Sequence, residues 1–120
     1  MVFFLAGCSS SRVNTEFKFG NQLARQGLWK EASYRWLRAL AEGEDSASVH
    51  NNLAIALEHQ NKLKEAEAEY LKALKLDPGN EYIKRNLSRL KRRINPELED
   101  DPGESEKKSK EKWDDEERGS

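Results

Sequence analysis

The side chains able to do chemistry in this chain are two histidines, one cysteine, an arginine- and lysine-rich stretch and a dense scatter of acids. His50 and His59 are nine residues apart, which on one helix puts them on opposite faces, so they cannot share a metal ion. Cys8 is the only cysteine, so neither an intrachain disulfide nor a paired-thiol site can form. There is no glycine-rich loop to cradle phosphate, and no nucleophile with a base at a useful spacing. The abundant Asp and Glu read as solvated helix faces and tail. Catalytic, metal and cofactor chemistry all lack parts, so the expectation is a non-enzymatic chain that works by binding.

The elements that must present those binding groups come from a repeat. Residues 13–46 match residues 47–80 at a shift of 34, with no insertion. Phe19 meets Leu53, Gly20 meets Ala54 and Leu23 meets Leu57; Trp29/Leu63, Ala32/Ala66, Trp36/Tyr70, Ala39/Ala73 and Leu40/Leu74 follow. Small residues face small and large face large, the sign of a register held by packing. A period of this length marks a helix–turn–helix solenoid. The expected helices are 14–26, 29–41, 47–60, 63–76 and 81–95, an all-α fold of two and a half repeats. Gly27 and Asn61 supply the tight turns, Asp45 or Ser46 caps the third helix, and Pro78 bars continuation of the fourth. Ile83, Leu87, Leu90 and Ile94 form an apolar stripe on a final capping helix, which a solenoid needs at its end.

Charge is unevenly spread. Residues 97–120 carry 11 acids against 5 bases, while residues 1–96 carry 16 bases against 11 acids, so the formal net charge of −1 conceals two opposed segments. Residues 96–120 are low in apolar side chains and are expected to be disordered, with Trp113 as the one aromatic. Such a tail reads as a solubilising segment, a docking motif or an internal competitor for the basic helix.

Leu53, Ala54, Leu57, Ala66, Tyr70, Ala73 and Pro78 stand where the tetratricopeptide repeat family places its packing residues, and the chain resembles that family. The first repeat keeps Phe19, Gly20, Leu23, Ala32, Trp36 and Ala39 but has Glu44 in place of the proline. The resemblance implies a protein-interaction module in which the first helices of successive pairs line a concave groove. At groove-facing phases it places Phe17, Asn21 and Arg25 on the first helix, and Asn51, Asn52, Ile55 and His59 on the third. Tyr82, Arg85, Arg89, Arg92 and Arg93 come from the capping helix. Such a groove suits an extended anionic peptide, since guanidinium groups make paired bonds to carboxylates. A stricter version is the two-carboxylate clamp of some family members, matched here by Asn21, Asn52, Arg85 and Arg89, with Phe17 where the clamp has a base.

The N-terminus adds a second resemblance. Val2–Cys8 is a short apolar run ending Leu-Ala-Gly-Cys before three serines, similar to the lipobox of bacterial lipoproteins, although it lacks a basic leader and is short. The resemblance implies lipidation of Cys8, with residues 1–7 removed and residues 9–12 as a tether. Each buried methylene adds about 0.8 kcal/mol of anchoring. The expected location is the bacterial cell envelope, at the outer membrane if Gram-negative; the alternative is cytoplasmic. The expected function is a membrane-anchored adaptor for a protein or peptide partner, possible acidity of that partner being set by the arginines. The alternative is a self-assembling homo-oligomer, followed by nucleic acid or anionic lipid on Lys84, Arg85, Arg89, Lys91, Arg92 and Arg93. The neighbouring acidic tail argues against nucleic acid.

Overall fold

A computed structural model of the chain describes residues 8–98, with side chains from Thr15 onward. The apolar leader before Cys8, and the acidic tail with Trp113, lie outside the described residues. Five α-helices run in chain order: α1 (Cys8–Arg25), α2 (Trp29–Ala41), α3 (Ala47–His59), α4 (Leu63–Leu76) and α5 (Glu81–Ile94). No strand occurs among the described residues, and no described helix is long and apolar enough to cross a membrane. The chain divides after Leu90 into two units. In the second, Asn95 N–H donates to the Lys91 carbonyl and Leu98 N–H to that of Asn95.

Helix ends fall within a residue of expectation except at the start. α1 reaches back to Cys8, six residues before the expected Asn14, and takes in residues 9–12, which were expected as a tether. That stretch holds no Pro or Gly to stop a helix that α1 has already nucleated.

The 34-residue period recurs in backbone detail. Gly27 (φ 76°) and Asn61 (φ 59°) take the left-handed conformation that ends α1 and α3. In each turn the next N–H reaches back five residues, Leu28 to the Leu23 carbonyl and Lys62 to that of Leu57, which satisfies the last helical acceptors. Ser46 Oγ accepts from Val49 N–H to cap α3, and 34 residues on Asn80 Oδ1 accepts from Ile83 N–H to cap α5. Asp45, the other capping candidate, bonds His50 instead.

Two apolar clusters hold the first unit. One joins Ala32, Trp36, Val49 and Ala56 with Phe17, Leu23, Ala24, Trp29 and Leu40 around it; the other joins Ala54, Ala66, Tyr70, Ala73, Ile83, Leu87 and Leu90. Trp36 and Tyr70, one per repeat, are the largest fully buried side chains. The stripe residues Ile83, Leu87 and Leu90 are buried as expected of a capping helix, whereas Ile94 is 37% exposed.

Candidate functional site

A groove of about 340 Å³ opens between α1 and α3, lined by Asn21, Ala24, Arg25, Trp29, Trp36, Asn52 and Ile55. Four of the residues expected to face a groove therefore meet there: Asn21, Arg25, Asn52 and Ile55. The two tryptophans were expected only as packing residues. Trp29 opens α2 and forms one end of the site, with the His59 imidazole stacked flat on its indole (3.8 Å between centroids, 4° between planes). His59 thus supports the groove by holding a wall.

The other expected residues lie elsewhere. Phe17 is half-buried against the Trp36 cluster, and its carbonyl accepts from Trp36 Nε1 at 3.4 Å. Asn51 is buried between helices and is unavailable to a ligand. Arg89, expected as a peptide-binding base, donates to Glu58 Oε1 (3.0 Å) and Asn86 Oδ1 (3.4 Å). Tyr82 and Arg85 are exposed and do not line the groove, and Arg92 is an exposed residue of the second unit. The clamp therefore divides: Asn21 and Asn52 touch each other, while Arg85 and Arg89 are not beside them in the lining. Of the six clustered bases, Lys84 also has a carboxylate partner, Glu81 at 2.9 Å.

A polar seam crosses the helices and fixes the site's chemistry. Trp36 Nε1 can only donate, so the atom it meets at 3.2 Å must be the oxygen of Asn21. That settles the Asn21 amide and, in turn, its neighbours. Asn52 Nδ2 donates to the same oxygen (3.0 Å), Asn51 Nδ2 makes a long contact with Asn52 Oδ1 (3.5 Å), and Asn86 Nδ2 donates to Asn51 Oδ1 (3.1 Å). Arg89 heads the run and also holds Glu58, whose Oε1 accepts from Tyr70 Oη at 2.6 Å. The seam therefore links the two buried aromatics of the repeats. Burial, with Glu58 beside it, raises the Tyr70 pKa far above that of a free phenol, so Tyr70 stays a neutral donor. At its groove end, Asn21 has both oxygen lone pairs engaged and only amide hydrogens left to offer.

His50 is nearly buried, with Nδ1 2.6 Å from Glu69 and Nε2 2.7 Å from Asp45. It ties α3 to α4 and to the loop before α3. No cluster able to hold a metal occurs among the described residues. Cys8 opens α1, and its thiol lies outside the described side chains.

A second cleft, about 420 Å³, lies between α2 and α4 over Leu53 and Leu57, with Tyr34, Leu37 and Ala68 on its walls. Tyr34 (59%), Leu37 (53%) and Leu71 (50%) are exposed apolar residues of those two helices.

None of the curated proteins matches the chain. The family described as tetratricopeptide repeat matches residues 17–81, which run from within α1 to the first residue of α5 and contain every residue lining the α1–α3 groove. With more than half of its 120 residues matched and with helices, turns and caps repeating at 34, the chain belongs to the tetratricopeptide repeat family, whose members are generally protein-interaction modules rather than enzymes.

Proposed function

We propose that this protein is an adaptor that receives a segment of a partner protein in the α1–α3 groove while a lipid on Cys8 holds it at a bacterial membrane. The observation that carries the groove half is the meeting of Asn21, Asn52, Arg25 and Ile55 with two indoles around one opening. Preformed helices order little on binding, which lowers the entropic cost that the contacts must offset. The anchor half rests on the sequence around Cys8 alone.

The test places a photoreactive side chain at Ile55 or at Leu37 of the full chain in its native cells. A specific adduct from position 55 and none from 37 supports the groove; an adduct from 37 alone refutes it. Intact mass and membrane partitioning of the wild type beside Cys8→Ala test the anchor. An unmodified, soluble wild type removes it and returns the cytoplasmic location.

Self-association is the second reading, favoured by the exposed Tyr34, Leu37 and Leu71. A concentration-dependent mass in sedimentation, abolished by Leu37→Lys, would support it.

A further inference from the structure

We infer that the groove selects an extended peptide in which one aromatic or aliphatic side chain lies within two positions of an aspartate or glutamate side chain. This rests on the groove reading above and narrows it. The apolar half follows from the lining: the half-buried Trp29, Ile55 and Ala24 offer a surface that gains from covering by one large side chain, and 340 Å³ accommodates such a group. The acidic half follows from polarity. The groove lining contains one charged residue, Arg25, and no acid. The Asn21 oxygen is saturated by Trp36 Nε1 and Asn52 Nδ2, so Asn21 presents hydrogens only. A ligand must therefore bring acceptors: a backbone carbonyl for the amide and a carboxylate for the guanidinium.

This ligand differs from the one the arginine-rich capping helix implied. Arg89 is engaged by Glu58 and Asn86, so the cation the groove offers is Arg25. A uniformly acidic peptide would leave Trp29 and Ile55 uncovered and is not the expected ligand.

The test is a displayed library of random ten-residue peptides selected on the full chain. Binders are then re-measured as synthetic peptides, blocked at both ends so that the acid must be a side chain. Ile55→Lys identifies groove binders, with helicity checked by circular dichroism; Arg25→Gln, at an exposed position, leaves the fold intact. The expected result is enrichment of an apolar residue within two positions of Asp or Glu. Replacing the apolar residue by Ala should weaken binding about 30-fold. Replacing the acid by its amide should weaken it about five- to tenfold on wild type and less than twofold on Arg25→Gln. Groove-dependent binders without that pair would overturn this inference and leave the adaptor reading standing. No groove-dependent binder at all would overturn both.

Discussion

The two repeats occupy the same backbone and solve the same packing problem with different atoms. Where the first has Gly20 under Trp36, the second has Ala54 under Tyr70. A Cβ on Gly20 would lie 2.4 Å from Trp36 Nε1, so the larger indole is accommodated only because the residue beneath it has no side chain. The exchange has a functional side. The indole projects its N–H to Asn21 and forms part of the groove, whereas the Tyr70 hydroxyl is used inside, on Glu58.

The side-chain contact between paired helices differs as well. In the first repeat Glu16 on α1 meets Arg35 on α2 at 3.2 Å; 34 residues on, His50 on α3 meets Glu69 on α4 at 2.6 Å. Crossed pairing would set the Glu16 and Glu69 carboxylates against each other. The ends differ too: Leu53 and Leu87 are buried, while their counterpart Phe19 is 39% exposed, with the Arg35 guanidinium 4.4 Å above its ring.

The sharpest way to break the comparison is Gly20→Ala, which should cost about 1–3 kcal/mol by overpacking against Trp36. Adding Trp36→Tyr should recover most of that loss in urea unfolding, because it recreates the second repeat's pair; no recovery would mean the glycine serves another purpose. Next in size, Arg35→Glu should cost about 1 kcal/mol by facing Glu16 with a like charge, and Glu16→Arg in the same chain should restore most of it. Additive losses would show that the pairs do not couple. The smallest effects are at the caps. Ser46→Ala and Asn80→Ala should each lose about 1 kcal/mol or less, and similar values would confirm that these positions are equivalent.

Much of the fold is legible in the sequence because packing at a 34-residue period repeats itself: Gly27 with Asn61, Ser46 with Asn80 and Trp36 with Tyr70 each announce the other. The site is legible only where it follows the same phase, as at Asn21, Arg25, Asn52 and Ile55. Contacts that cross repeats at other separations leave no such trace. Arg89 meets Glu58 at a separation of 31, and Trp29 meets His59 at 30, so neither could be read from the register. Asn51 and Asn52 are adjacent polar residues, and only the position of α5, with Asn86 reaching Asn51, shows which of them is buried.

The most direct test of the central claim follows the indole N–H resonances of the isotope-labelled full chain as a blocked Gly/Ser peptide carrying one Phe-Asp pair is added. The three tryptophans, Trp29, Trp36 and Trp113, provide two reporters in the groove and one in the tail. The account predicts saturable shifts at Trp29 and Trp36 with Trp113 unmoved. Shifts at Trp113 alone, or no shift at any indole in the presence of excess peptide, would contradict it.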